Sequence, residues 1–241
     1  MIACYDLATR PCSFDFVTWL VIAKTKGVTH VRFNWGGYWK HKDYSNPKER
    51  FESILLPACH LAGMECSVGP SQGVEFGHFI GDLIRTWREF GRLYKFGTPK
   101  SEGYVTVTLR NSRKEYRNSN TEAWHRFSED IKAVVVPDFE DKPISLKERL
   151  KLYEGARLNL FVNNGPAMLC ICSDIPYAVL KYANKGGATN ETWLAGQGLP
   201  RGSQYPWARK DQRIFWEGDS FEDIKAAYEE MNERQGFCQP V

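Results

Sequence analysis

The stretch "LNLFVNNGPAML", residues 158 to 169, sets the fold question, because an apolar run suited to a buried strand breaks into Asn163, Asn164, Gly165 and Pro166 and then turns apolar again. Proline is tolerated in the first turn of a helix, where its missing amide has no helical partner. The stretch therefore predicts a strand handing over to a short helix through a polar turn. Gly165 permits close backbone approach, and free amides at a helix start attract an anion, most simply a phosphate. The same residues also suit an ordinary cap, with Asn164 as N-cap and Gly165 as a plain turn.

Outward from that turn, the chain alternates strand and helix. "IACYDL" reads as a strand, "SFDFVTWLVIAKTKG" as a helix stopped by Gly27, and "VTHVRFNW" as the next strand. "NPKERFESILLPACHLAG" follows as a helix that Pro57 should kink or divide, then the strand "MECSVG". "EFGHFIGDLIRTWREFGRLYKFG" repeats apolar residues three and four apart and is expected to be helical, and "GTPKSEG", residues 97 to 103, is the best linker.

Beyond it the alternation restarts with the strand "YVTVTL" and the helix "SNTEAWHRFSEDI", where Ser119 and Glu122 stand in capping-box spacing. "KAVVVPDF", "RLNLFV" and "PYAVLKY" read as further strands, with "ISLKERLKLYEGA" and "GPAMLCICSD" as helices between them. "SFEDIKAAYEEMNERQG" is expected as the last helix, with Asp219 and Glu222 at its start. The rhythm implies an α/β protein of two small Rossmann-like, doubly wound domains, over residues 1–98 and 99–241. They are expected to face a cleft, the default place for a ligand.

An apolar fraction of 42% and a charged fraction of 25% place the 241-residue chain among folded globular proteins. No apolar run approaches the roughly 20 residues needed to cross a bilayer, and no secretory leader is recognised, so a cytoplasmic protein is expected. The seven cysteines lack zinc-site spacing and read as free thiols, and a net charge of +3 is too small to imply nucleic acid by itself.

Candidate chemistry collects at strand ends. Arg110 follows the strand "YVTVTL", with Asn111 and Arg117 in the same loop, and a guanidinium can clamp a phosphate through two parallel bonds. Asp138 lies past "KAVVV", where a carboxylate can accept ribose hydroxyls or cap a turn. Gln204 and Gln212, in the polar and aromatic run "GQGLPRGSQYPWARKDQRIFWEGD", are candidates for base or sugar contacts. In the first half Asp6 and Asp15 compete as a general base, although Asp15 is equally placed to cap its helix. The five histidines show no metal spacing and read as structural or exposed.

With those residues assembled, residues 103 to 232 resemble the nucleotide-sugar-binding domain of GT-B glycosyltransferases, in their heptosyltransferase-like and fucosyltransferase-like branches. "YEGARLNLFVNNGPAMLCICSDIPYAVLKY" is similar to their strand, Gly-Pro turn and short helix, and "VTVTLR" to the strand whose terminal arginine holds the diphosphate. The resemblance implies transfer of a sugar from a nucleotide-diphosphate sugar, without metal or other cofactor, to a hydroxyl acceptor. That acceptor would be a glycan, a small molecule or a nucleic-acid base. A GT-B-like sugar-nucleotide epimerase and a non-catalytic nucleotide- or sugar-binding module are the alternatives.

Overall fold

A computed structural model describes residues 1–35, 47–112, 115–137, 144–183 and 189–237. The chain divides into two compact units, Met1–Phe96 with Ser145–Lys147, and Gly97–Ile144 with Glu148–Val241. Both are α/β, and every strand pairing within their sheets is parallel.

In the first unit β1 (Ile2–Asp6), β2 (His30–Asn34) and β3 (Glu65–Val68) lie in the order β1-β2-β3. Helix α1 (Asp15–Thr25) joins the first two, and its all-round apolar run is buried from Phe16 to Ala23. Alternation puts Tyr5 and Phe33 on one face of the sheet. There Tyr5 meets Phe16 at 4.7 Å and Trp19 at 5.2 Å between ring centroids, and Phe33 meets Phe51 at 4.9 Å. A parallel bridge from Ala3 to Val74 adds one more pairing, on the side of β1 away from β2.

The helical run is continuous through Pro57 but changes its turn ahead of it. Helix α2 (Pro47–Arg50) runs into a π-helical turn, Phe51–Leu55, and then α3 (Leu56–Leu61). The Leu56 amide bonds the Phe51 carbonyl, five residues back, so one extra residue is looped in just before the proline that has no amide to offer. The helix expected across residues 75–97 is shorter, α4 (Ile80–Phe90). The Asp82 carboxylate accepts the Phe79 amide at 2.9 Å and fixes its start, and Gly91 in the left-handed region, φ 64°, ends it.

The second unit orders its strands β5 (Val134–Val136), β4 (Val105–Thr108), β6 (Leu158–Val162), β7 (Tyr177–Leu180) and β8 (Gln212–Ile214). Counted from its own first strand this is 2-1-3-4-5, a doubly wound order that reverses direction between β4 and β6. One face packs Val105, Val107, Leu158 and Leu160 against Trp124 and Phe127 of α5 (Thr121–Asp130) and Ile224 and Met231 of α9 (Phe221–Gln235). On the other, Phe161 meets Tyr153 of α6 (Leu146–Gly155) at 5.2 Å.

Three local expectations change. Asn120, not Ser119, caps α5 by accepting the Ala123 amide, while the Ser119 hydroxyl accepts the Arg110 amide at 2.8 Å. The box at the start of α9 is Ser220 with Asp223. The run expected as one polar loop holds the end of α8 (Glu191–Gly196) and the edge strand β8.

Candidate functional site

Ligands of open parallel sheets bind outside the carboxyl ends of the strands, where the strand order reverses, because there the two flanking loops diverge. In the second unit that point lies between β4 and β6, and the two sequence-predicted loops meet at it. Arg110, two residues past β4, donates from Nη1 to the Asn163 carbonyl, just past β6. Asn163 is held from the next strand too, since its amide bonds the Leu180 carbonyl at 3.2 Å and its Nδ2 the Tyr182 carbonyl at 2.6 Å.

Asn164 follows. Its Oδ1 accepts the Ala167 amide at 3.0 Å, which satisfies one donor of the turn into α7 (Ala167–Ile171). Its Nδ2 is buried and has no hydrogen-bond partner among the described residues. An unmatched buried amide costs about 1–3 kcal/mol, a cost that an incoming acceptor oxygen removes. Gly165 and Pro166 continue the turn, their carbonyls accepting the Met168 and Leu169 amides at 3.0 and 3.1 Å. Pro166 is the N-cap residue, one position before the helix. With only 5 residues, α7 adds little dipole, so charge at this edge comes from arginines.

A second guanidinium lies under the same edge. Arg149 of α6 is fully buried, donates to the Pro137 carbonyl at 2.9 Å and to the Tyr153 hydroxyl at 3.2 Å, and has no carboxylate partner among the described residues. Tyr153 passes the chain on to Thr108, the last residue of β4, at 3.0 Å. Burial pushes the Tyr153 phenol up to about 12, a rise that Arg149 opposes. The tyrosine is thus a neutral hydroxyl between a buried cation and the strand that carries Arg110.

A third contributor left no signal in the sequence. Lys181, directly after β7, holds φ 48°, and its ammonium reaches the Asn118 carbonyl at 2.7 Å and Asp219 at 3.1 Å. Asp219 in turn accepts the Asn120 amide at 2.7 Å and the Trp124 indole at 3.1 Å. These bonds pin the loop carrying Arg110, Asn111 and Arg117 to the neighbouring strand end. Arg117 ends a short 3-10 turn in that loop, and Asn111 is exposed.

The two glutamines do other work. Gln212 is fully buried in β8, donating to the Ser173 and Ile175 carbonyls at 2.9 Å each and accepting the Arg209 amide at 3.1 Å. Gln204 grips both backbone groups of Ile214, at 2.9 and 2.6 Å. Both amides are consumed by backbone, so they staple the edge strand instead of reaching a base or sugar. Asp138 lies outside the described residues.

The first unit has its own reversal, between β1 and the Val74 bridge. At the last residue of β1, Asp6 Oδ1 accepts the Ala8 amide at 2.9 Å and Asn34 Nδ2 at 3.0 Å, as a turn former does. Asp15 is exposed at the first position of α1 and accepts the Ser13 hydroxyl at 2.9 Å. Past Val74, His78 takes a bond from Arg10 Nη1 to its Nδ1 at 2.9 Å, and Glu75 pairs with Arg10 at 3.5 Å. Burial depresses the His78 imidazole, the nearby Arg10 adds to that, and Asp15 and Asp82 oppose it. This cluster escaped sequence reasoning because residues 10 and 78 are far apart in the chain.

Six cysteines are free among the described residues, and no group of them forms a metal cluster with His, Asp or Glu. No described helix is long and apolar enough to cross a membrane. Comparison with protein-family models, with curated proteins and with solved structures gave no match.

Proposed function

We propose that the second unit binds the diphosphate of a nucleotide-diphosphate sugar between β4 and β6, and that the chain is a GT-B-type glycosyltransferase. The observation that carries this reading is the meeting of Arg110 with the Asn163 carbonyl at the point of strand reversal, beside the unmatched buried amide of Asn164. An arginine there offers a fixed positive charge to a departing nucleoside diphosphate, and Asn164 Nδ2 offers a donor already stripped of water. Charge placed in advance where negative charge develops supplies much of the stabilisation in such reactions. Arg149 is a second cation, buried and joined through Tyr153 to Thr108 at the end of β4.

In this reading Asp15 or Asp6 takes the proton of the acceptor hydroxyl. Asp15 suits the role better than Asp6, because it is exposed while Asp6 Oδ1 is committed to two donors. The acceptor is a glycan, a small molecule or a nucleic-acid base.

Thermal-shift measurements with UDP-, GDP- and ADP-sugars test the first step, since a ligand that binds only the folded chain raises Tm by mass action. At least one nucleotide is expected to give a shift that Arg110→Ala removes. Absence of a response to every nucleotide, or a shift that Arg110→Ala leaves intact, overturns the assignment. Transfer measured with the responding donor should then be lost in Asp15→Asn with donor binding retained.

A further inference from the structure

A second constellation stands on the half-exposed face of the first unit's sheet, apart from everything assigned above. The register places His30 of β2 opposite Glu65 of β3 and Arg32 opposite Ser67. Glu65 and Ser67 are two residues apart on one strand, so they share a face, and it is the face of His30. The imidazole lies between them, with Nε2 at 2.6 Å from the Ser67 hydroxyl and Nδ1 at 3.3 Å from Glu65 Oε2.

The partners decide the tautomer. A carboxylate only accepts, so Nδ1 carries the proton and donates to Glu65. In the neutral ring Nε2 then has its lone pair free and accepts the Ser67 O–H. Serine to imidazole to carboxylate, each within reach of the next, is the arrangement that activates a hydroxyl as a nucleophile. An acyl-transfer site also needs a donor for the developing oxyanion. The amides of Glu65 and Gly69 bond inward to the Thr29 and Phe33 carbonyls at 3.0 Å. Amide direction alternates along a strand, so the Cys66 and Val68 amides point to the edge of β3 that no described strand covers, β3 being last in the order β1-β2-β3. The Val68 amide belongs to the residue directly after the serine.

We infer that Ser67, His30 and Glu65 form a nucleophile, a base and an orienting carboxylate that hydrolyse a short-chain ester, with the Val68 amide facing the oxyanion. The site is open, with the Glu65 side chain 85% and the His30 side chain 23% exposed, which suits a small acyl group presented from solvent. Ser67 Oγ attacks the ester carbonyl carbon while its proton passes to His30 Nε2, and the carbonyl π pair moves to oxygen. Collapse breaks the bond to the alcohol, which leaves with the proton from Nε2, and an acyl-serine remains. Water attacks that ester in turn, giving its proton to Nε2. The acid departs as Ser67 Oγ regains the proton, so ester and water become acid and alcohol with no change of oxidation state.

The test uses the full chain in a Cys66→Ala background, which removes the neighbouring thiol as a competing nucleophile. A fluorophosphonate probe followed by peptide mass spectrometry should label Ser67, and p-nitrophenyl acetate should be hydrolysed. Ser67→Ala should abolish the label. His30→Gln, which keeps a polar partner but takes no proton, should lower both labelling and hydrolysis about a hundredfold, with Tm unchanged. Glu65→Gln should give a smaller loss. Equal labelling of the background and Ser67→Ala, a label on any other residue, or hydrolysis indifferent to His30→Gln overturns the proposal. None of these outcomes depends on nucleotide binding by the second unit.

Discussion

The two units place different chemistry at the same address. Each reverses its strand order at one point, and at each the loops past the strand ends meet. In the second unit Arg110 meets the Asn163 carbonyl beside the unmatched Asn164 amide, and the buried cation Arg149 is tied through Tyr153 to the last residue of β4. In the first unit Arg10 is engaged by His78 and Glu75, with Asp6 ending β1 and Asp15 opening α1. Topology thus brings strand-end loops together at the same place in both units, while their composition differs: arginine and asparagine in one, carboxylates, arginine and histidine in the other. The contrast can be attacked first through what holds the second edge rigid, then through the unmatched donor, and last through the histidine of the first.

The largest effect is expected at Gln212. Its side chain serves three backbone groups, two of them in the interior, and removing it takes hydrogen bonds from the Ser173 and Ile175 carbonyls and from the Arg209 amide. Gln212→Ala should cost about 3 kcal/mol, roughly 6 to 12 °C in Tm for a chain of this size. Any nucleotide-induced shift should survive on the lowered baseline. Loss of the shift with Tm preserved would return Gln212 to the ligand and redraw the second edge. Chemical denaturation together with the thermal-shift screen measures both.

A smaller and more selective effect belongs to Asn164. Asn164→Ala removes the bond to the Ala167 amide, worth about 1 kcal/mol, but it also removes a buried donor that has nothing to bond. The two changes offset, so stability should move little while nucleotide affinity falls about tenfold, the equivalent of one lost hydrogen bond of 1.4 kcal/mol. Asn164→Asp is the sharper variant. It keeps the acceptor that caps the turn and sets a carboxylate where the donor stood, so nucleotide binding should fall further than in Asn164→Ala. Equal binding in the two variants would mean that the Asn164 amide faces no anion, and calorimetric titration distinguishes the cases.

Much of this was legible because it is local. Alternating apolar runs and Gly and Pro punctuation gave the strands from β1 to β7, and the strand-end position of Arg110 beside Asn163 follows from chain order alone once β4 and β6 are neighbours. What was not legible depends on pairing at a distance. β8 is three residues long, with a glutamine and an arginine before its one apolar residue, so no alternation announced it; the burial of Gln212 is met by backbone partners at residues 173 and 175. The end of α4 at Gly91 was readable from the glycine, yet the apolar spacing beyond it extended the expected helix too far. His78 and His30 looked inert because their partners lie 68 and 35 or more residues away, and only the sheet brings them together.

His78 supplies the smallest test, and it bears on the first unit alone. Arg10 donates to Nδ1, which needs the ring neutral, and burial acts in the same direction, so the imidazole titrates below its ordinary 6.5 in the folded chain. Between that depressed value and 6.5 the unfolded chain therefore binds the extra proton, and stability rises with pH across the window. The contribution is fully present above about pH 7 and is lost as pH falls through the folded value. His78→Gln keeps an acceptor for Arg10 without a proton to bind, so the slope of Tm against pH from 7 down to 5 should flatten relative to the native chain, while Tm at pH 8 stays close to native. An unchanged slope would mean that the His78 imidazole does not carry the pH dependence of the first unit.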